Sequence, residues 1–333
     1  MKAIQMTAAG AAEVLQLREI AVPELPSPRH VRVRLHAAGV NPVDTKIRAK
    51  PAYYPDKLPA VLGCDGAGVV ESVGSEASRF KVGDAVYFCN GGLGDAQGNY
   101  AEYTVVHEDH CAAKPECLSF EEAAALPLVL ITAWEALIER AQLLSHQTVL
   151  IHAGAGGVGH IAIQLARRLG AGIATTVSDD AKTGFVRALG AERIIRYRES
   201  DFVQSTLDWT NQRGADVVFD TVGGETFLRS LHAARVYGKV VSLLSTPLGA
   251  ADVQTARLRN LTLGYDLMLT PQLHDLHNER LRQRVILEEG ARLAAAGQLK
   301  PHISHVLPLE QAAEAHRLIE RGGVTGKIVL HTL

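Results

Sequence analysis

Apolar and polar residues alternate over residues 29–37, where Val31, Val33 and Leu35 interleave with Arg32, Arg34 and His36. A period of two sends one set to a buried face and the other toward solvent, which predicts a half-buried strand. The Val- and Gly-rich stretch 66–73 and the apolar run 85–88 read as further strands, set apart by turns at Val73-Gly74 and Val82-Gly83-Asp84. Short strands punctuated by Gly and Pro predict a β-rich, barrel-like first domain. Between them, GVNPVDTKIRAKPAYYPDKLPAVLG puts Asn41, Asp44, Tyr53 and Tyr54 on loop or helix-start positions, where polar side chains either face a ligand or serve as caps and turns. The polar, glycine-rich stretch 90–100 reads as a mobile loop at the barrel's rim, or equally as a plain connector.

The period changes after Lys114-Pro115. Ser119 is a natural N-cap with Glu121 and Glu122 in the first turn behind it, and residues 120–140 read as helical with a break at Pro127. Thr132 lies in that apolar helix, where a threonine commonly bonds back to a carbonyl one turn earlier. From 148 onward strand and helix patterns alternate: an apolar run at 149–151, a glycine cluster, helix-period residues Ile161, Ile163, Leu165, Ala166 and Leu169, then strands at 172–177, 193–196, 215–221 and 239–244 with helices between them. Such alternation predicts a doubly wound parallel sheet, so the fold class is α/β. Residues 280–296 and 309–320 read as amphipathic helices and 327–331 as a closing strand. That apolar tail needs a partner, and the first domain is expected to supply it. The expected domains are 1–122, 123–266 and a return to the first at 267–333.

The glycine cluster carries G-x-G-x-x-G between a strand and a helix. In a dinucleotide site Gly154 makes the turn, Gly156 lets backbone approach a pyrophosphate and Gly159 lets helix pack on strand, with Gly157 and Val158 opening the helix. The phosphates then meet unpaired N–H groups and the positive end of the helix dipole. About 20 residues further on, the second strand ends Thr176-Val177-Ser178, without the acid that binds the ribose hydroxyls of NAD. Ser178 and Lys182 offer a hydroxyl and a cation suited to a 2′-phosphate, and Tyr197 follows the third strand. NADPH is therefore the expected cofactor. Asp179 and Asp180 would repel a phosphate if they pointed inward, unless one of them caps the next helix.

Composition narrows the partners more than the fold. With 333 residues, 47% hydrophobic, 21% charged and a net charge of −2, the chain has no broad basic field for nucleic acid or membrane. No secretory h-region and no membrane-length apolar run appears, so a cytoplasmic location is expected. Cys64, Cys89, Cys111 and Cys117 form no C-x-x-C pair and read as reduced, mostly buried thiols.

Taken together, GVNPVDTKIR, LPAVLGCDGAGVVESVGSEASRFKVGDAVY, HAGAGGVGHIAIQLAR, FDTVGGETF and the final TGKIVL resemble the medium-chain dehydrogenase/reductase superfamily, and within it the zinc-independent quinone oxidoreductases of the zeta-crystallin-like branch. The resemblance implies a GroES-like catalytic domain beside a Rossmann domain. Where zinc alcohol dehydrogenases place a cysteine ligand this chain has Asn41, and where they place His-Glu it has Cys64-Asp65. Asn41 is a poor zinc ligand, so no metal is expected. Without a Lewis acid an alcohol is hard to oxidise, whereas a quinone or α,β-unsaturated carbonyl readily takes hydride. The resemblance further implies Asn41 and Tyr54, with Tyr53 the alternative, against the acceptor, and Thr132 at the nicotinamide end. It assigns Ser178, Lys182 and Tyr197 to the 2′-phosphate, Val222 to the adenosine, Leu243 and Leu244 to the nicotinamide region and Lys327 to the cofactor phosphates. Solvent or a tyrosine phenol would deliver the proton. A homodimer is implied, with 259–269 as the candidate pairing edge. Two competing readings are a zinc enzyme that uses Cys64 and Asp65, and a cofactor-binding protein with little turnover.

Overall fold

The computed structural model describes residues 1–50, 56–94 and 96–332. The chain forms two compact units, one of Met1–Leu128 with Leu269–Leu333 and one of Val129–Met268.

The second unit is built on six parallel strands. Across the sheet they run Arg193–Arg196, Gly172–Val177, Thr148–Ile151, Ala215–Asp220, Ala234–Ser242 and Thr262–Tyr265. Numbered by sequence within this unit the order is 3-2-1-4-5-6, that of the Rossmann fold. Leu150, Ala174, Ile195, Val218 and Val240 from the strands pack with Phe202, Phe227 and Leu231 from the covering helices. Strands buried on both faces read as continuous apolar runs, which is why they are legible in the sequence. The helix Gly157–Leu169 stops at Gly170, whose φ of 77° is the left-handed conformation that favours glycine.

The first unit holds the second sheet, in the order Ile303–Pro308, Lys327–His331, His30–Val40, Asp65–Val73, Ala85–Cys89, Cys111–Ala113. His30–Val40 organises it. Val31, Val33 and Leu35 point into the core while Asp65–Val73 lies along one edge of the strand. Its other edge is shared: His30–Arg34 pairs with Tyr103–His107, and Ala37–Val40 pairs with Lys327–His331. Register shifts between Arg32 and Val33 and between Leu35 and Ala37 bend this long strand. The α/β class, with a doubly wound parallel sheet and a separate β-rich GroES-like domain, is thus what the molecule adopts.

Strands at Lys2–Met6, Leu15–Glu19, Tyr103–His107 and Cys111–Ala113 go beyond the sequence reading, and two further features differ from it. Residues 90–94 and 96–100, expected as a mobile rim loop or a plain connector, are largely packed inside: Leu93 and Tyr100 are buried, and Asn99 Nδ2 donates to the carbonyls of Gly63, Cys64 and Asn90 at 2.9–3.0 Å. Gly91, Gly92 and Gly94 supply the positive φ angles that fold so polar a stretch inward. The strand Ile303–Pro308 has no counterpart in the sequence pattern, because it lies at the sheet edge, half exposed, and lacks an apolar period. Among the described residues no helix is long and apolar enough to cross a membrane.

Candidate active site

The glycine turn sits at the C-terminal end of Thr148–Ile151, and the turn 221–224 follows Ala215–Asp220, the neighbouring strand. Chain order reverses between these two strands, which opens a crevice where doubly wound sheets bind nucleotides. Thr221 Oγ1 donates to the carbonyl of His152 at 2.9 Å and ties the two turns together. The glycines divide their work in an unexpected way. The left-handed φ of 51° falls on Ala153 rather than on Gly154. A Cβ on Gly154 would collide with Thr175 Oγ1, and one on Gly159 with the carbonyl of Ala153. A Cβ on Gly156 would meet only Ala153 O, at 3.2 Å, a tight contact but far looser than those at Gly154 and Gly159. Gly156 is also the N-cap of Gly157–Leu169, with no side chain to cap the first-turn N–H groups and no acid in that turn. Space over Gly156 and donors on Gly157, Val158 and Gly159 fit a pyrophosphate.

Sequence reasoning passed over the support beneath this turn. His152 is buried, with Nδ1 3.2 Å from Thr176 Oγ1 and Nε2 3.0 Å from Ser230 Oγ. Thr176 Oγ1 accepts the Ala153 N–H at 3.0 Å, and Ser230 Oγ donates to Thr226 O at 2.7 Å. These bonds are all satisfied when the neutral ring carries its proton on Nε2. Burial lowers the His152 pKa to about 4, against an opposing pull from Asp220. Asp220, inside the FDTVGG motif, accepts N–H bonds from Val222 and Gly223 and a hydroxyl from Ser242, thereby shaping the turn that presents Val222. Val222 is exposed, and Leu243 and Leu244 are half-buried just beyond Ala234–Ser242. An acid at a strand end two residues ahead of a glycine pair was the available signal for Asp220.

Ser178, Lys182 and Tyr197 come together at the ends of two adjacent strands. Lys182 Nζ donates to Ser178 Oγ at 2.9 Å, and the Tyr197 N–H donates to Val177 O at 3.2 Å. Asp179 lies within this group. Its carboxylate accepts from Ser178 Oγ at 2.7 Å and from the Lys182 N–H at 3.2 Å, and these contacts hold its pKa below the usual value. Asp179 thus caps the following helix, while Asp180 faces solvent 3.3 Å from Arg196 Nη1. Thr132 is buried on the helix Pro127–Trp134.

In the first unit, Asn41, Asp65 and Lys327 meet in the interior. Asn41 precedes the helix Pro42–Ala49, yet its side chain does not cap it. Instead Asn41 Nδ2 donates to Asp65 Oδ2 at 2.9 Å, and Asn41 Oδ1 accepts from Lys327 Nζ. Lys327 Nζ also lies 3.2 Å from Asp65 Oδ2, and Asp65 Oδ1 accepts the Leu128 N–H at 2.8 Å. Burial raises the Asp65 pKa, and Lys327 is the main opposing influence. Lys327 is only 3% exposed, so its partners are these two side chains. Asp44 makes the reciprocal cap, accepting the Asn41 N–H at 2.8 Å, and also accepts from Tyr100 Oη at 2.8 Å. Burial raises Asp44 to about 7. Tyr100 Oη lies 3.3 Å from Nε2 of the buried His316. Tyr100 and His316 reach this cluster from distant sequence, and no local signal marks them. Tyr53 and Tyr54 lie outside the described residues. Cys64, Cys89 and Cys111 are buried free thiols, whereas Cys117 is exposed.

A Rossmann sheet with an open glycine turn, joined in one chain to a GroES-like unit, defines a class of nucleotide-dependent oxidoreductases. Residues 27–116 match the family model "Alcohol dehydrogenase GroES-like domain", and residues 189–330 match "Zinc-binding dehydrogenase". A quinone oxidoreductase of Pseudomonas aeruginosa is 36% identical over 331 residues, covering 99% of each chain. The structure of Escherichia coli quinone oxidoreductase complexed with NADPH is similar, with a TM-score of 0.89 and 31% identity over all of both chains. A structure described as an NAD-dependent alcohol dehydrogenase is similar as well, with a TM-score of 0.90 and 34% identity over all of both chains. The chain belongs to the medium-chain dehydrogenase/reductase superfamily, and it is an NAD(P)-dependent oxidoreductase.

Gly156→Ala is expected to weaken dinucleotide binding at least about 10-fold in a fluorescence titration with a smaller change in Tm than Gly154→Ala causes, since the protein crowds that position less. Gly154→Ala, by contrast, should destabilise the unliganded fold by about 1–3 kcal/mol in urea unfolding. Equal effects of the two substitutions on unfolding would refute this division. The folded-state pKa of His152 is below its unfolded value of about 6.5, so its contribution is present near neutral pH and is lost as pH falls from about 6.5 through about 4. The loss is on the order of 3 kcal/mol. Unfolding curves at pH 7 and pH 4.5 should therefore diverge more for the wild type than for His152→Gln.

Proposed function

We propose that this chain is an NADPH-dependent reductase that passes hydride to a quinone or an α,β-unsaturated carbonyl without zinc. The observation that carries this reading is the buried ammonium of Lys327 between Asn41 and Asp65. These two residues stand at positions that supply metal ligands in the zinc alcohol dehydrogenases the chain resembles. A zinc ion there would have to displace Lys327 Nζ and strip Asp65 of bonds from Asn41 Nδ2 and Lys327. The locus already holds a fixed positive charge. With no Lewis acid to lower an alcohol's pKa, an activated acceptor fits better.

The nicotinamide, when bound, supplies the hydride. The chain's part is to bind and orient. First-turn N–H groups of Gly157, Val158 and Gly159 hold the pyrophosphate, with Gly154 and Gly156 shaping the approach. Ser178, Lys182 and Tyr197 take the 2′-phosphate, and this replaces the Asp179 contacts to Ser178 and Lys182. Val222 flanks the adenosine, while Leu243, Leu244 and Thr132 flank the nicotinamide. Asn41 holds Lys327 in place, and Tyr54 faces the acceptor and is a candidate proton source, solvent being the other. The Escherichia coli relative, whose structure is a complex with NADPH, supports this choice of cofactor.

The chain also pairs as a homodimer through Thr262–Tyr265 in this reading. That strand is the edge of the six-stranded sheet, and Tyr265 and Leu267 are exposed beside it. Sedimentation at micromolar concentration should give twice the chain mass, and a monomer would exclude this pairing.

The decisive assay follows the loss of NADPH absorbance with a simple quinone and a simple enone, before and after treatment with a chelator. Turnover is expected with NADPH, unchanged by the chelator. Activity that disappears and returns on adding zinc would overturn the metal-free reading. Lys182→Ala should weaken NADPH binding about 10- to 100-fold, the loss of a charge-assisted hydrogen bond, and leave NADH binding nearly unchanged. Equal losses for both cofactors would remove Lys182 from the phosphate site.

A further inference from the structure

A second constellation in the first unit belongs to none of this chemistry. His107 ends the strand Tyr103–His107, His110 ends the single 3-10 turn Glu108–His110, and His277 opens the helix His277–Ala295. Residues three apart on a 3-10 turn stack on one side, so His107 and His110 face the same way. The long helix is fixed against the sheet by several contacts. Tyr87 Oη donates to the carbonyl of Leu287, and Arg280 Nη2 donates to Cys89 O and Asn90 Oδ1 at 2.9–3.0 Å. These contacts bring His277 up to the other two rings.

The three rings form a near-equilateral triangle, with centroids 5.1, 5.3 and 5.4 Å apart. One ligand atom from each lies within 4.8 Å of the others, and His110 Nε2 is 3.3 Å from His277 Nδ1. Three imidazoles on a tetrahedral zinc with Zn–N of about 2.0–2.1 Å have nitrogens about 3.3 Å apart and ring centroids about 5.2 Å apart. The ring centroids and the His110–His277 nitrogen pair have those dimensions, and the His107 nitrogen must close in from within 4.8 Å. His107 Nδ1 accepts the Asp109 N–H at 3.2 Å, so ligation through Nε2 requires the ring proton to move to Nδ1, where Asp109 Oδ2 at 3.8 Å is its acceptor. Asp109 Oδ2 lies 3.8 Å from both His107 Nδ1 and His277 Nε2, where a carboxylate can orient ligating imidazoles from behind.

The surrounding charges are balanced. Arg280 is the buried cation that acts most strongly on His110, Asp109 is the facing anion, and Arg29 and Arg79 are engaged by Glu108, Asp109 and Glu288. Burial lowers the pKa of His107, and burial followed by Arg280 lowers that of His110. His30 meets His107 edge-on at 5.2 Å, with its own Nδ1 bonded to Ser27 Oγ. It supports the triangle without entering it.

We infer that His107, His110 and His277 form a binding site for a divalent transition metal, zinc by preference, that staples the start of the long C-terminal helix to the β-rich unit. Three nitrogen ligands leave a fourth position, and His277 is about half exposed, so water completes the tetrahedron. The site does not depend on the reductase reading. It also means that zinc found with the purified chain belongs to these histidines and not to Asn41 and Asp65.

The test uses the full, untagged chain, stripped with a chelator and titrated with zinc in competition with a chromophoric chelator, with Tm recorded in parallel. The wild type is expected to bind one zinc per chain and gain Tm. His277→Ala, at a half-exposed helix start, should weaken binding at least about 10-fold and abolish the Tm gain. His110→Gln should do the same, whereas His305→Ala, on an exposed strand, should bind like the wild type. Unchanged affinity in both His277→Ala and His110→Gln, or no binding by the wild type at tens of micromolar zinc, would overturn the site. Both readouts are independent of turnover, so they separate this proposal from the metal-free activity.

Discussion

The buried ammonium of Lys327 is the constraint around which the first unit is arranged. A lysine with 3% exposure is tolerated only where its charge is matched and its donors are used, and here Asp65 and Asn41 perform that task. Each comes from a different part of the sheet: Asn41 follows the long strand His30–Val40, Asp65 opens the next, and Lys327 opens the last. Because Lys327–His331 pairs with the second half of His30–Val40, the ion pair and the strand pairing hold one another in place. Removing either charge would leave the other buried and unmatched, the costlier outcome for such a pair. The same arrangement gives the site its chemical character, since the positive charge at that locus comes from a side chain.

In the second unit the governing constraint is steric. The turn between Thr148–Ile151 and Gly157–Leu169 comes so close to Thr175 and to its own backbone that Gly154 and Gly159 have no room for a side chain, while Gly156 is less crowded, with only Ala153 O at 3.2 Å from where a Cβ would sit. Two glycines answer to the fold and one to whatever occupies that space. Beneath them His152 holds Thr176 and Ser230, and Thr176 in turn holds the Ala153 N–H. A buried, neutral histidine thus supports a turn whose own sequence contains almost no side chains.

Much of this was legible because local physics writes it into local sequence. The alternation of Val31, Val33 and Leu35 with Arg32, Arg34 and His36 is the period of a half-buried strand, and the apolar runs at 149–151, 172–177 and 215–220 are those of strands buried on both faces. Ser119 caps its helix with Glu122 in reciprocal contact, as the spacing indicates. The stretch 90–100 misled for an equally physical reason. Polar, glycine-rich composition marks a loop, but nothing within it reveals that Asn99 will satisfy three carbonyls from inside the unit.

The sequence by itself therefore determined the element types, the α/β class and the position of the glycine turn, because propensity, period and turn chemistry act over a few residues. Tertiary structure alone decided what the polar side chains do. Asn41 looked like a helix cap, and it became an ion-pair partner because Asp65 and Lys327 arrive from 24 and 286 residues away. Tyr100 and His316 join Asp44, and His277 joins His107 and His110, over comparable separations. Charge pairing and ligand geometry depend on distance in space, and only the folded chain sets that distance.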